Sequence, residues 1–293
     1  MQLRARGLRE LCRLLGYSSQ AYYQYQKATE SRTFKQEEVL QQVLECRRLQ
    51  PRLGTRKLLE LIQPAMGRDA FFELLRDSGL LVRRKRSRVR TTFSVHRFRK
   101  YPNLIAAMEP NRPNQLWVSD ITYLRIKQDF AYLSLITDAY SRKIIGFCLS
   151  HDLSTDSCLK ALRMALATRL TDAPLIHHSD RGTQYCSQAY TRLLKNKGIQ
   201  ISMTQSGNPR DNAIAERVNG ILKQELLKES YDELTSAYKA VKEAVGIYNQ
   251  LRPHSSLDML TPEKAHQQTG VLKRRWRNYY PPQKSHHETV NLL

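Results

Sequence analysis

The 293 residues hold no apolar run long enough to cross a bilayer and no short hydrophobic core of the kind that a secretory signal carries. Cysteine is scarce. There are five, Cys12, Cys46, Cys148, Cys158 and Cys186, an odd number with no C-x-x-C pair among them. That argues against a disulfide framework and a zinc knuckle, and predicts a reducing compartment. Cys148, inside KIIGFCL, reads as a buried and inert thiol. Acidic residues are also in short supply, 27 against 48 Lys and Arg, for a net charge of +21. Self-repulsion of that size predicts a polyanionic partner. Nucleic acid comes first, an anionic membrane surface second, and solubilising charge with no partner is the bland reading. No sustained heptad marks the N-terminal region.

What is present begins with helical patterning. In residues 8–26, Leu8, Leu11, Leu14 and Leu15 recur at helical spacing, Gly16 stops the run, and Ser18 or Ser19 can cap a second helix. This is a helix-turn-helix outline, with Gln20, Tyr23, Gln24 and Lys27 as candidate groove contacts. An ordinary helical hairpin has the same pattern. A second unit follows: a helix over Glu37–Leu49, a break at Pro51–Gly54, a helix capped by Thr55, and another capped by Asp69 and closed by Gly79. Two such units in one basic arm favour DNA. From Arg83 to Lys100 there are nine basic residues and no acid. Arg83, Arg84, Lys85, Arg86, Arg88 and Arg90, followed by interleaved Phe93, His96 and Phe98, suit a chain that tracks phosphates. A solvated linker is the alternative.

From about Asn114 the texture changes. LWVSDITYLRI alternates and places Val118, Asp120 and Thr122 on one face; AYLSLITDAY and KIIGFCLS read as two further strands of an antiparallel meander. Thr155–Leu170 is a helix, Leu175–Ile176 opens a strand that ends in Asp180, and Ile199–Met203 is a further strand. A Gly/Asn/Pro loop then leads to a helix carrying Glu216. Three strands, helix, strand, helix, strand, helix is the order of a ribonuclease-H-like α/β core, a mixed sheet with flanking helices. Fold order says nothing about reaction type.

The acids do. Phosphodiester chemistry at neutral pH needs a strong attacking oxygen and relief for the charge on the leaving oxygen. Two divalent ions about 3.5–4 Å apart supply both, and hard cations take carboxylate oxygens. Asp120, in mid-strand beside Val118, is costly to place unless it binds something. Asp180 ends a strand and Glu216 reaches in from a helix. Asp138 and Asp211 compete, Asp138 as a turn residue and Asp211 as the cap of the Glu216 helix. His177 and His178 are soft choices for Mg²⁺, although His178 shares a strand face with Asp180 and could orient it. Lys223, seven residues after Glu216, falls on the same helical face and so projects toward the same DNA.

HSDRGTQY around Asp180, QSGNPRDNAIAE ending at Glu216, Lys223 and WVSDITYL around Asp120 together resemble the acid-triad core of insertion-sequence transposases. The resemblance is to the insertion-sequence-three family, relatives of retroviral integrases. The 35 residues between Asp180 and Glu216 match that family's spacing, and YNQLRPHSSLDMLTPEKA, with Asn249, Arg252, Pro253, His254 and Pro262, is similar to its ending. The resemblance implies that Asp120, Asp180 and Glu216 hold Mg²⁺ or Mn²⁺, and that water and then a 3′-hydroxyl attack DNA in line. It also implies duplex DNA partners (transposon ends and target), a homo-oligomer on DNA, an upstream-frame partner protein with this chain as the downstream product, and a bacterial cytosol. The expected layout is a helix-turn-helix arm over 1–82, a basic linker over 83–103, the catalytic core with its helical extension over 104–265, and a basic tail over 266–293. Two other functions fit parts of the pattern: a catalytically inactive DNA-binding repressor derived from a transposase, and a nuclease acting on RNA–DNA hybrids.

Overall fold

The computed structural model describes residues 5–82, 98–106, 108–205 and 212–273. The chain divides into two compact units, Met1–Ser87 and Arg88–Leu293. Residues 83–97 and the tail after 273 lie outside the described part, and with them Arg83, Arg84, Lys85, Arg86, Arg88 and Arg90.

The first unit is all helical: α1 (Ala5–Leu14), α2 (Ser19–Leu49), α3 (Thr55–Ile62) and α4 (Arg68–Asp77). The turn at Gly16 and the cap at Ser18, whose Oγ accepts from the Ala21 amide at 3.0 Å, stand where the sequence placed them. The second helix differs from expectation. It does not stop near Lys27 but runs 31 residues to Leu49. Nothing between Gln26 and Glu37 can end a helix, because the stretch has neither Gly nor Pro. The two expected hairpins therefore share one helix. Its far end supplies Val39 and Val43 to a small core with Leu53, Leu58, Phe71 and Leu75. The caps of α3 and α4 are Gly54 and Gly67 rather than Thr55 and Asp69; Thr55 is buried inside its helix and Asp69 pairs with Arg68 at 2.8 Å. Gly79, at φ +68°, closes α4 as its type predicts.

The second unit is built on β1 (Leu116–Ile126), β2 (Asp129–Asp138) and β3 (Ile144–Ser150), an antiparallel meander. After α5 (Thr155–Thr168) comes β4 (Ile176–Ser179), parallel to β1; α6 (Thr183–Cys186) and α7 (Gln188–Asn196) then lead to β5 (Gln200–Met203), parallel to β4. The sheet order is β3-β2-β1-β4-β5, with a two-residue β6 (Ser230–Tyr231) against the far end of β1. α8 (Ala213–Ile221), a π-helical turn (Leu222–Leu226), α9 (Leu234–Gln250) and α10 (Pro262–Ala265) complete the unit. This is the mixed, ribonuclease-H-like sheet read from the sequence.

Alternation along β1 divides the core. Trp117 faces Leu162, Leu175, Tyr190 and Leu194 on the α5–α7 side. Leu124 faces Val218, Leu222, Val241 and Tyr248 on the α8–α9 side. Gly146 lets α5 lie directly on β3, because a Cβ there would run into the Ala161 carbonyl. Cys148 is only partly buried, against expectation, while Cys12, Cys158 and Cys186 are the buried thiols. Burial still pushes the Cys148 thiol up. Among the described residues no helix is long and apolar enough to cross a membrane.

Candidate active site

Asp120 sits in the middle of the middle strand, on the face that α8 covers. β1 and β4 pair in parallel with Val118 opposite His178. Two residues further along each strand, Asp120 and Asp180 therefore emerge level with one another, on strands about 4.8 Å apart. The β-ladder thus brings together two acids sixty positions apart in sequence. Asp180 follows the last residue of β4, and its Oδ1 accepts the Gly182 amide at 3.0 Å. Burial first and the Asp180 charge second push the Asp120 carboxyl up to about 7. Hydrogen bonds from Asn219 and the Ile121 amide oppose the rise, and Glu216 adds to it.

Glu216 lies in the first turn of α8, and burial raises its carboxyl as well. One turn later on the same face, Asn219 Nδ2 donates to Asp120 Oδ2 at 2.7 Å. At the start of α8, Asn212 Nδ2 donates to the Ser119 carbonyl at 3.0 Å. Neither asparagine was singled out from the sequence. The only signal for Asn219 was its i+3 spacing from Glu216. The cap position of α8 belongs to Asn212, and Asp211 lies outside the described residues.

Lys223 stands in the π-helical turn rather than on a continued α-helix, and is half-buried instead of projecting freely. Its Nζ donates to Thr122 Oγ1 at 3.3 Å and rests 3.9 Å from the centre of the Tyr123 ring. Burial lowers its pKa. Thr122 and Tyr123 line one cleft with Asp120, Asp180, Gly182 and Thr183. Lys223 thus touches two residues that line the cleft of Asp120 and Asp180.

The other candidates separate from the site. Asp138 is fully buried and consumed locally: it accepts from the Asn114 amide at 2.7 Å and from the Ser141 amide and hydroxyl at 2.8 Å each. His177 is a core residue. Its Nε2 meets Ser119 Oγ at 2.7 Å and Tyr190 Oη at 3.0 Å, and burial lowers its pKa to about 3, so the ring is neutral. His178 is also buried, bonded through Nδ1 to Ser202 Oγ on β5 at 2.8 Å. Gln20, Tyr23, Gln24 and Lys27 are exposed on α2, as expected of groove contacts.

Asp120 and Asp180 line one cleft, with Glu216 in the first turn of α8, and hard carboxylates have the donor chemistry that Mg²⁺ or Mn²⁺ prefers. Among the described residues no three Asp, Glu, His or Cys side chains close a cation cage. The coupling among these acids is electrostatic, strongest between Asp120 and Asp180 and weaker from Glu216. A divalent cation between Asp120 and Asp180 would offset the burial and the Asp180 charge that together push the Asp120 carboxyl up, so the residues fit such an ion.

Residues 110–209 match the integrase core domain family, and residues 197–262 match a second integrase core domain family. The chain is similar to the insertion element IS600 uncharacterized 31 kDa protein of Shigella sonnei, 34% identical over 269 residues, covering 88% of this chain and 99% of that protein. It is similar to the transposase InsF for insertion sequence IS3A of Escherichia coli (strain K12), 33% identical over 193 residues, covering 65% of this chain and 67% of that one. Among solved structures, the HTLV-2 integrase catalytic core domain in complex with magnesium is 20% identical, covers 54% of this chain and 99% of its own, and superposes with a TM-score of 0.42.

Proposed function

Because the chain belongs to the insertion-sequence-three family of integrase-core transposases, we propose that it cleaves and joins DNA strands at the ends of a mobile element, as a polynucleotidyl transferase. The observation that supports this most directly is the level placement of Asp120 and Asp180 with Glu216 on the covering helix. Asp120, Asp180 and Glu216 would hold Mg²⁺ or Mn²⁺, which activates the attacking oxygen and takes up charge on the leaving one. Asn219 holds Asp120 through its Oδ2. The Gly182 amide orients Asp180. Lys223, partly desolvated beside Thr122, is positioned to meet a phosphate. The attacking groups are water and then a freed 3′-hydroxyl, in line with the bond that breaks, with no covalent protein–DNA intermediate.

The proposed partners follow. The helical arm over 1–82 grips element ends. Arg83, Arg84, Lys85, Arg86, Arg88 and Arg90, in the linker over 83–103, neutralise phosphates on the strength of their charge alone. Further copies of the chain and an upstream-frame protein complete an assembly on DNA in the bacterial cytoplasm. The test is to incubate the protein with a labelled element-end duplex and Mg²⁺. Nicking and end joining, lost in Asp120→Asn and in Glu216→Gln, bear the reading out. Tight binding with unaltered DNA would instead make the chain a repressor. Full activity in Glu216→Gln would remove α8 from the chemistry.

A further inference from the structure

We propose that the cations gathered around Tyr101 form a second DNA-backbone surface, leading from the acid cleft across the β5 edge toward the basic segment before residue 100. The proposal rests on the reading of the chain as a DNA-processing protein. Tyr101 is half-buried against the core cluster of Trp117 and Leu194, and two cations share its ring. Arg99 Cζ stands 5.4 Å and Lys195 Nζ 5.7 Å from its centre. Arg99 comes from the segment that enters the core and Lys195 from the last turn of α7, so folding brings them together from distant parts of the chain.

The flanking sequence is poor in acids. The sequence contains no Asp or Glu from 78 to 108 and none from 181 to 210. Among the described residues no carboxylate pairs with Arg99, Lys100 or Lys195, all of which are exposed. The surface is also continuous with the acid cleft. Burial and then Asp180 push the Cys186 thiol up, opposed by Lys100 and Arg181, so both cations lie within electrostatic reach of the corner at Asp180. The Met203 amide donates to the Pro102 carbonyl at 3.2 Å, and Met203 pairs with Ser179, the residue before Asp180. Pro102 therefore lies two strand spacings from β4, roughly 10 Å. A duplex presents about six phosphate charges over that length. Like charges assembled without acids repel unless a polyanion neutralises them, and DNA lying in the acid cleft would pass over them.

The experiment uses the full chain and a duplex oligonucleotide, with affinity titrated between about 50 and 200 mM salt. Each lost phosphate contact removes about 0.9 from the slope of log affinity against log salt. Lys195→Gln and Arg99→Gln should each shrink the ratio of the two affinities about 3.5-fold, and the double variant about 12-fold. Lys195→Arg should keep the wild-type slope, as should Lys239→Gln on α9. Nicking at saturating DNA should be unchanged in Lys239→Gln. A wild-type slope in the double variant overturns the surface while leaving the proposed function intact. Altered self-association with an unchanged slope would likewise overturn it, in favour of a protein interface. Absence of salt-dependent DNA binding by the unaltered chain would overturn the surface and the proposed function together.

Discussion

Asn219 Nδ2 donates to Asp120 Oδ2 at 2.7 Å, fastening the helix of Glu216 to the central strand of the sheet. This bond favours the ionised carboxylate, against burial and Asp180. Asn219→Leu should therefore raise Asp120 further. A divalent ion then competes with a more firmly held proton, so the acid limb of the cleavage-rate profile should move to higher pH, with DNA affinity unchanged. A wild-type profile in this variant would show that the bond does not tune Asp120.

Asp120 itself should be a liability for stability when no divalent ion is present. Its folded pKa is about 7, above the ordinary 3.8. Below pH 4 both folded and unfolded states hold the proton. Between pH 4 and 7 the unfolded state releases it and the folded state does not, so stability falls as pH rises through that window. Asp120→Asn should accordingly stabilise the chain at pH 8 by up to about 4 kcal/mol, less whatever solvent in the cleft screens, and the gain should vanish well below pH 4. Urea unfolding with a chelator measures the gap, and added Mg²⁺ should narrow it.

His177 works in the opposite direction. Burial holds its folded pKa at about 3, below the ordinary 6.5. As pH falls from 6.5 toward 3 the unfolded chain takes up a proton that the folded one refuses. Stability is intact above 6.5 and declines below it, by on the order of a few kcal/mol. His177→Gln should flatten this acid limb, as followed by circular dichroism. An unchanged limb would assign acid unfolding to other groups.

An ion pair with a buried arginine secures the π-helical turn that bears Lys223. Arg252, 2% exposed, makes two 2.8 Å bonds to Glu225, two residues after Lys223, and a third contact to His254 Nε2 at 3.0 Å. Arg252→Ala removes a buried guanidinium from a partly exposed carboxylate and should destabilise by about 1–3 kcal/mol in denaturant titration. Replacing the pair together, as Arg252→Met with Glu225→Leu, should recover most of that loss. If the double variant is as unstable as Arg252→Ala, the pair contributes through packing rather than charge.

Much of the second unit was legible because period-two patterning and turn residues are local signals. β1, β2, β3 and the strand before Asp180 were placed from LWVSDITYLRI, AYLSLITDAY, KIIGFCLS and Leu175–Ile176. Local signals misled where absence had to be read. Nothing in residues 27–36 announces a helix that merely continues, so α2 was divided in two. Capping was misassigned at Thr55 and Asp69 because a preceding Gly adopts the extended cap conformation without offering a side chain.

The acids show the boundary between the two kinds of information. Their residue types, the 35-residue gap between Asp180 and Glu216, and the basic excess are properties of the chain as written, and they marked the chemistry. Which acids meet is a long-range matter. Asp120 and Asp138 both lie on strands of one sheet, yet parallel pairing of β1 with β4 sets Asp120 level with Asp180, while Asp138 is turned to the Asn114 amide and to Ser141 in the β2–β3 turn. Periodicity assigns a residue to a face. Only strand pairing and the helix packed above it set which residue of another segment shares that face, and here they placed Asn219 on Asp120 and Lys223 against Thr122.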